Sequence, residues 1–216
     1  MNALAFQKPA KLFSDYSERL GVALRELDWA PVEQLAHDLL DCWHTGRQVF
    51  LAGNGGSGGN ANHLANDLLY ALSKTKGSGI RVHSLSANPA AISCLANDEG
   101  YDQIFSMQLA VMAREGDVLI VLSGSGNSLN ILAALEEAKA IGMTSYAILG
   151  FAGGKAKALA DIPIHFRVDD MQIAEDAQMI VGHMLLQWLH GQREDVNALK
   201  HQAEDLRRTW RRMKNI

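Results

Sequence analysis

The sequence predicts an α/β fold in which a five-stranded, doubly wound parallel sheet lies between helices. Short apolar runs alternate along the chain with longer segments whose apolar residues have helical spacing. The run that ends at Leu122 is continuously apolar, as in strands buried on both faces of a parallel sheet. Two of them end in turns rich in glycine and serine, where parallel sheets commonly bind ligands. A chain of 216 residues with 48% apolar residues can bury such a sheet.

Two helices and the first strand open the predicted fold. Residues 11–27 and 32–44 carry apolar side chains three and four positions apart, which predicts amphipathic helices. The apolar run 48–52 predicts the first strand, which breaks into glycines. Beyond the glycines, helical spacing predicts a helix over 60–72.

The second and third strands follow, with helices between them. The run 80–85 predicts the second strand because it combines β-branched and apolar residues. A proline then marks the start of a helix over 89–95, since proline fits the first helical turn. Helical spacing over 104–113 predicts another helix, and the apolar run 118–122 predicts the third strand.

Helix and strand alternate again in the last part of the sheet. Residues 129–141 predict a helix and 144–149 the fourth strand. A short helix over 155–159 precedes the fifth strand at 162–168, and apolar spacing over 173–189 predicts a long helix. A polar helical tail follows Gly191.

The turn after the first strand, residues 53–57 (Gly-Asn-Gly-Gly-Ser), has the composition of a phosphate-binding turn. Glycines bring backbone N–H groups close to a ligand, and the next helix directs its positive N-terminal end to the same place. Gly53, Gly55 and Gly58 also fit a dinucleotide-binding fingerprint. The second strand, however, ends without the acidic residue that binds the ribose, so no nucleotide cofactor is expected.

A second turn of this kind follows the third strand and reads Ser-Gly-Ser-Gly-Asn-Ser over residues 123–128. A single serine-rich turn is usually no more than helix capping. Two such turns at the carboxyl ends of parallel strands favour a phosphorylated small molecule in the crevice between them.

Composition argues against several other classes of protein. The net charge of −4 gives no overall basic excess, so nucleic acid is not an expected partner. Cys42 and Cys94 form no disulfide framework or paired metal motif, and we interpret both as small buried residues. The apolar runs are too short to span a bilayer and residues 1–10 lack a signal-peptide core, so we expect a cytoplasmic protein.

The tail carries a basic cluster around Trp210, formed by Arg207, Arg208, Arg211, Arg212 and Lys214. Such charge runs are ordinary on short helices, so we interpret the cluster as a solvated face or a subunit contact rather than a nucleic-acid site.

Four motifs in this order resemble the sugar isomerase (SIS) fold. They are the glycine turn, residues 93–98 (Ser-Cys-Leu-Ala-Asn-Asp), the serine turn and residues 150–155 (Gly-Phe-Ala-Gly-Gly-Lys). The resemblance extends over about residues 13–189 and is strongest to the phosphoheptose isomerase branch. Members of that branch interconvert sedoheptulose 7-phosphate and a heptose 7-phosphate for surface-polysaccharide synthesis, including lipopolysaccharide.

The resemblance also implies a domain organisation and an assembly. Residues 1–216 would form a single SIS domain with a core over about 45–190, N-terminal helices over 11–44 and a helical tail over 191–216. A homotetramer with sites between subunits is implied as well. The apolar faces of the first and last predicted helices agree with an oligomer, because so small a sheet needs few covers.

The resemblance carries functional roles to individual residues. Substrate binding falls on Asn54, Gly55, Gly56, Ser57, Asn97, Asp98, Ser123, Gly124, Ser125, Ser128 and Glu175. A divalent metal, zinc, is implied with His63, Asp67, Glu175 and His183 as ligands, and acid–base catalysis falls on Asp67 and His183. The family usually has Glu at position 67, Gln at 175 and often Thr at 124, and the first two departures affect the chemistry more than the binding.

The residue types suit the implied reaction. Aldose–ketose isomerisation needs a base, an acid and stabilisation of an enediolate, which a carboxylate, a histidine and a divalent metal can supply. His63 and Asp67 are four residues apart, so both project from one helix face. This spacing suits metal ligands and equally a solvated helical hydrogen bond. Asp is one methylene shorter than Glu, and a misplacement of about 1 Å can cost on the order of 100-fold in rate.

Glu175 and His183 are harder to combine in one site. On one continuous helix their separation corresponds to about 12 Å of axial rise. They share a small ligand only if Glu175 precedes the helix or the two come from different subunits. Otherwise Glu175 is explained as a helix N-terminal acid and His183 as a polar residue among apolar neighbours. We expect His63, Asp67 and His183 to converge near the glycine turn.

Two classes of function remain open from the sequence. One is an isomerase acting on a phosphorylated ketose. The other is a non-catalytic SIS module that binds a phosphosugar or a protein, as a related branch binds the replication initiator. The presence of both His63 and His183 favours catalysis, whereas Asp67 and Glu175 favour divergence toward another phosphosugar.

Overall fold

A computed structural model describes residues 8–72, 74 and 78–193 of the chain. Its helices are α1 (Pro9–Arg25), α2 (Ala30–Thr45), α3 (Gly55–Asn66), α4 (Pro89–Asp98), α5 (Ser106–Met112), α6 (Leu129–Ile141), α7 (Ala156–Leu159) and α8 (Met171–Gly191). Its strands are β1 (Gln48–Gly53), β2 (Arg81–Ser84), β3 (Val118–Ser123), β4 (Thr144–Leu149) and β5 (Ile162–His165). The basic cluster around Trp210 lies outside the described residues.

The five strands form one all-parallel sheet in the order β2-β1-β3-β4-β5. This confirms the predicted doubly wound α/β architecture. The chain winds outward from β1 to β2 and then returns to the other side of β1 to form β3. Parallel sheets bind ligands where the strand order reverses in this way, beyond the carboxyl ends of the two strands.

Alternate residues of each strand supply two hydrophobic cores, one on each face of the sheet. Val49 and Leu51 of β1 face a core shared with α1, α2, α3 and α8. Phe50 and Ala52 face the opposite core, which α5 and α6 cover. Because both faces are buried at the centre of the sheet, β3 is apolar over Val118–Leu122, as its continuous run in the sequence predicted, whereas the edge strand β2 carries Arg81 and His83.

Two boundaries differ from the sequence prediction in an informative way. Helix α3 begins at Gly55 rather than at residue 60, so the glycines belong to the helix itself. Helix propensity disfavours glycine, and here tertiary contacts override it. At its other end α3 continues as a π-helical segment, Asp67–Ala71, a form that occurs often at functional sites.

Helices α1 and α8 are joined by polar contacts as well as apolar ones. Tyr16 Oη donates to Asp176 Oδ2 at 2.6 Å, and Arg19 Nη1 donates to Asp170 Oδ2 at the same distance. Asp170 also caps α8, since its side chain accepts hydrogen bonds from the N–H groups of Gln172 and Ile173. No helix in the described ranges has both the length and the apolar composition needed to cross a membrane.

Candidate active site

Two helices begin side by side at the carboxyl edge of the sheet. Gly53, the last residue of β1, pairs with Leu122 in the adjacent strand β3. Helix α3 begins directly after the β1 turn, and α6 begins at Leu129 after the β3 turn. The first N–H groups of each helix have no partner within it, and both helix dipoles direct positive charge to their N-terminal ends. The crevice between the two turns is therefore suited to a phosphate.

The glycine turn needs its glycines for local reasons. Gly55 has φ +53°, in the left-handed region that favours glycine. Gly56 faces the carboxylate of Glu175, and a Cβ at this position would overlap both carboxylate oxygens. The glycines thus allow a sharp turn at the crevice and the close approach of α8.

Polar side chains tie the start of α3 to α8. Gln178 Nε2 donates to Ser57 Oγ at 3.1 Å, and Asn60 Nδ2 donates to Gln178 Oε1 at 3.0 Å. Asn60 also donates to the backbone carbonyl of Glu175 at 3.0 Å. Ser57 is only 4% exposed. Its hydroxyl therefore stabilises the helix pair, and a ligand would reach the backbone of this turn more readily.

The serine turn is braced internally. Ser123 is buried and its Oγ accepts the N–H of Gly126 at 3.1 Å, whereas Ser125 Oγ accepts the N–H of Asn127 at 3.4 Å. Ser128 precedes α6 without a side-chain capping bond. Ser125 and Ser128 are half-buried, and their hydroxyl hydrogens remain available to a ligand. Gly124 faces the Met171 thioether.

Asn97 and Asp98 lie at the end of α4 and are exposed. Asn97 Nδ2 donates to Asp98 Oδ1 at 2.7 Å, and Cys94 Sγ donates to Asp98 Oδ2 at 3.4 Å. These two bonds, that from Asn97 first, hold the pKa of the Asp98 carboxyl below its usual value. The pKa of the Cys94 thiol is raised by its hydrogen bond to Asp98, which disfavours a reactive thiolate.

The two cysteines differ in burial. Cys42 is buried, as expected, and burial followed by the nearby Asp38 raises the pKa of its thiol to about 12. Cys94 is exposed, so its prediction as a buried residue is wrong. Helix α4 has no buried residue among the described ones, which is why its cysteine faces outward.

His63, Asp67 and His183 form a cluster where the C-terminal end of α3 passes the middle of α8. His63 Nε2 lies 3.2 Å from His183 Nε2, and Asp67 Oδ2 lies 3.3 Å from His63 Nε2 and 3.8 Å from His183 Nε2. One ligand atom from each residue falls within 4.8 Å of the others. The imidazoles are half exposed, with side-chain exposures of 53% and 49%, whereas that of Asp67 is 13%.

The geometry of this cluster, termed the His–Asp cluster, fits a zinc ion. With ligand bonds of about 2.1 Å, the vertices of a tetrahedron lie about 3.4 Å apart. The three observed separations are close to that value. Two neutral imidazoles and a carboxylate are also a donor set that zinc uses when a fourth position stays open for water or substrate.

Glu175 does not join the His–Asp cluster within one chain. The contacts between α3 and α8 show that the helices run side by side in the same direction, with Glu175 beside Gly56 and His183 beside His63. Glu175 and His183 therefore lie on one continuous helix, about 12 Å apart along its axis. Glu175 belongs to the crevice end of the pair, where its charge faces the positive start of α3.

The expected convergence near the glycine turn is met only in part. The three side chains do come together, but His63 lies about 12 Å along α3 from Gly55. Within one chain, the crevice and the His–Asp cluster are thus at opposite ends of α3.

Sequence reasoning missed Asn130 and Tyr101, which both form hydrogen bonds with Asn54 at the crevice. Asn54 Nδ2 donates to Asn130 Oδ1 at 2.8 Å, and Asn130 Nδ2 donates to Asn54 Oδ1 at 2.8 Å. Tyr101 Oη also donates to Asn54 Oδ1, at 3.0 Å. The available signal was Asn130 itself, a polar residue among Leu and Ile at the start of an apolar helix. Tyr101 gave no comparable signal.

Comparison with known proteins shows consistent similarity. Residues 13–150 match the family model of the SIS domain, a segment that includes both turns, His63 and Asp67. A probable phosphoheptose isomerase from Thermoplasma volcanium is 32% identical over 172 residues, covering 80% of this chain and 87% of that protein. A phosphoheptose isomerase from Helicobacter pylori is 34% identical over 175 residues, covering 81% and 90%.

Solved structures show the same similarity in three dimensions. A phosphoheptose isomerase from Francisella tularensis has a TM-score of 0.79 at 27% identity, over 88% of this chain and 100% of that one. A phosphoheptose isomerase from Neisseria gonorrhoeae has a TM-score of 0.76 at 26% identity, over 84% and 96%.

Proposed function

The chain belongs to the SIS-domain family as a phosphosugar isomerase of the phosphoheptose isomerase type, and from this premise we propose that it interconverts sedoheptulose 7-phosphate and a heptose 7-phosphate. One observation carries the proposal beyond family membership. Two helix N-termini frame a crevice at the strand switch point, and the His–Asp cluster lies at the other end of one of these helices, α3, where it meets α8. An anion-binding crevice and a group of acid–base residues are thus both built around α3.

The phosphate of the sugar binds in the crevice. Backbone N–H groups at the starts of α3 and α6 supply donors that no side chain caps. Ser125 and Ser128 add hydroxyl donors from the serine turn. Asn54, Gly55, Gly56, Gly124 and the buried Ser57 and Ser123 shape the two turns around them. Asn97 and Asp98 at the end of α4 accept sugar hydroxyls.

Proton transfer falls to the cluster. Asp67 Oδ2 takes the proton from the carbon next to the carbonyl, and His183 Nε2 serves the neighbouring oxygen as the acid. The Asp67 side chain is only 13% exposed while both imidazoles are half exposed, so the carboxylate is more closely packed and the histidines remain accessible. The closer packing of Asp67 suits its role as the base, because a base must be precisely placed for proton abstraction.

His63, Asp67 and His183 would hold zinc, which would supply electrophilic stabilisation of the enediolate oxygens. An imidazole nitrogen bound to zinc has no proton to donate, so His183 Nε2 would serve as the acid in the metal-free cluster and as a ligand when zinc is bound. Glu175 could complete this set only from a second copy, because its own chain places it at the crevice end. Within its own chain, Glu175 contacts the substrate beside the glycine turn.

A homotetramer with sites between subunits accounts for the separation of crevice and cluster. A second copy would bring its cluster to the first copy's crevice. Large apolar side chains remain exposed and are available for contacts between copies, among them Phe13 (66%), Tyr70 (63%) and Val111 (84%). We also infer that residues 1–216 act as a single SIS domain in the cytoplasm, in the synthesis of surface polysaccharide such as lipopolysaccharide.

A substrate panel tests the proposal. The purified protein is incubated with phosphorylated ketoses of five, six and seven carbons, with and without zinc, in deuterated water. We expect conversion of sedoheptulose 7-phosphate to an aldose that carries deuterium at C2, since proton abstraction through an enediolate exchanges that hydrogen. If only a shorter ketose phosphate is converted, that ketose is the substrate instead of sedoheptulose 7-phosphate. Binding without conversion of any ketose would favour the non-catalytic SIS module that binds a phosphosugar or a protein such as the replication initiator.

A further inference from the structure

Asn54 is held by side chains from two distant parts of the fold. Asn130 at the start of α6 forms two hydrogen bonds with it, both 2.8 Å long. Tyr101, from the turn after α4, adds a third at 3.0 Å. The strand switch point, the α4–α5 connection and α6 therefore meet on one amide group at the crevice.

The orientation of Asn54 is not the one its position would ordinarily favour. Asn54 is the N-cap residue of α3, and asparagine is among the residues that most often cap a helix with their side chain. Here the side chain makes no capping bond and turns toward α6 instead. The N–H groups at the start of α3 thereby remain open to the crevice, and the amide serves a different purpose.

Asn130 indicates that this orientation is built into the core. Its residue is only 2% exposed, and the helix around it packs against the apolar core through Ile131 and Leu132. A buried amide is costly unless it is hydrogen-bonded. Both hydrogen bonds found for the Asn130 amide go to Asn54, so burial of one asparagine fixes the other.

The side-chain amide of Asn54 can form four hydrogen bonds, and three of them are made to other side chains. Its Oδ1 accepts from Asn130 and from Tyr101, and its Nδ2 uses one of two N–H groups for Asn130. The second N–H has no partner among the described residues. We propose that Asn130 and Tyr101 are positioning residues, which fix the Asn54 amide so that this N–H donates to an oxygen of the phosphosugar. The proposal rests on the proposed function of the crevice.

A double-mutant cycle between Tyr101 and Asn54 tests it. Tyr101→Phe removes one hydroxyl from an exposed ring and leaves the core intact. We expect kcat/KM to fall about three- to tenfold in Tyr101→Phe and about ten- to a hundredfold in Asn54→Ala, the scale of one lost hydrogen bond. Because Tyr101 acts through Asn54, its substitution should have no further effect in the Asn54→Ala background. The two single variants should also divide their loss between kcat and KM in the same proportion.

Two further variants make the result specific. Ser17→Ala removes one hydroxyl from an exposed residue of α1 outside the crevice and should leave kcat and KM unchanged. Asn130→Ala should lose more than Tyr101→Phe, because both of its bonds to Asn54 disappear. If Asn130→Ala fails to fold, the cycle alone decides.

The outcomes separate this proposal from the proposed function. If the wild-type protein isomerises a ketose phosphate but the losses from Tyr101→Phe and Asn54→Ala add, the positioning role is rejected and the isomerase stands. If the wild-type protein isomerises none, the same cycle is measured as binding of sedoheptulose 7-phosphate by calorimetry. Non-additive affinities then support the positioning role without catalysis. Additive affinities, or no binding by the wild-type protein, overturn it.

Discussion

The two ends of the α3–α8 pair are built in different ways. At the crevice end, polar side chains such as Ser57 and Gln178 are buried and satisfied by one another. At the other end, His63 and His183 are half exposed, and their Nε2 atoms face each other and Asp67. The first end is held by its own hydrogen bonds, whereas the second presents three ligand atoms that lie within 4.8 Å of one another. Binding and chemistry should therefore respond to different mutations.

The largest effect should come from the cluster. His183→Ala removes the acid, and a proton-transfer group contributes about 100- to 10,000-fold to the rate. We expect kcat to fall by that factor while the thermal midpoint of the zinc-free protein changes little, because the side chain is half exposed. Zinc content per chain should fall as well, measured by elemental analysis. His44→Ala, at an exposed histidine of α2, is the matched control. A fully active His183→Ala variant would remove the catalytic interpretation.

The comparison also bears on what the sequence could predict. The helix Leu129–Ile141 and the strand Thr144–Leu149 have the predicted bounds, because local spacing and burial agree there. The predicted start of α3 was wrong by five residues, because helix propensity disfavours glycine and takes no account of contacts such as that between Gly56 and Glu175 of α8. Local rules fail where distant parts of the chain meet.

The same distinction holds for the candidate site. The pair His63 and Asp67 follows from helical spacing, but its meeting with His183 is a tertiary fact that the family resemblance supplied. The predicted helix over 173–189 already contained both Glu175 and His183, but only the structure shows that Glu175 lies beside Gly56 at the crevice end. The bonds that join Asn54 to Tyr101 and Asn130 span 47 and 76 residues, and no local pattern encodes them.

The next effect tests whether a second copy completes the site. Phe13→Glu places a charge on the exposed apolar face of α1 and should shift the assembly toward smaller species at micromolar concentration, because a buried unpaired charge is costly. As the protein is diluted and the assembly dissociates, the activity per chain should fall as well. Lys11→Glu introduces the same residue on the same helix and is the control. Sedimentation velocity measures the species, and a wild-type protein that sediments as a fully active monomer would contradict shared sites.

A smaller effect should come from the crevice. Ser125→Ala removes a hydroxyl from the serine turn and should weaken phosphosugar binding by about 1 kcal/mol or more, the scale of a hydrogen bond to a charged group. The loss should appear in KM and in the dissociation constant, with zinc content unchanged. Ser17→Ala, at an exposed serine of α1, is the control. Calorimetry measures the dissociation constants for inorganic phosphate and for the phosphosugar. An affinity equal to that of the wild type would exclude Ser125 as a phosphate-binding residue.

The smallest effect concerns how the crevice end is held. Asp170 caps α8 and pairs with Arg19 at 2.6 Å, with side-chain exposures of 17% and 48%. Partial burial raises the pKa of the Asp170 carboxyl, but the hydrogen bond from Arg19 and the α8 N–H groups outweigh it, so the pKa is lower than usual. A lowered folded-state pKa adds stability above the unfolded value near 4, and that stability is lost as the pH falls through the folded value.

Arg19→Ala should therefore reduce the free energy of unfolding at pH 7 by less than about 1 kcal/mol, as expected for a partly exposed pair. The difference from the wild type should shrink as the pH falls below about 4 and through the lowered pKa of folded Asp170, where the carboxyl protonates and the wild type loses the pair. Urea unfolding from pH 2.5 to 7 measures this, with Arg25→Ala as an exposed control on the same helix. A difference that stayed constant to pH 2.5 would mean that Arg19 stabilises α1 by packing alone. The start of α8, and with it Glu175, would then be held at the crevice by its cap without help from α1.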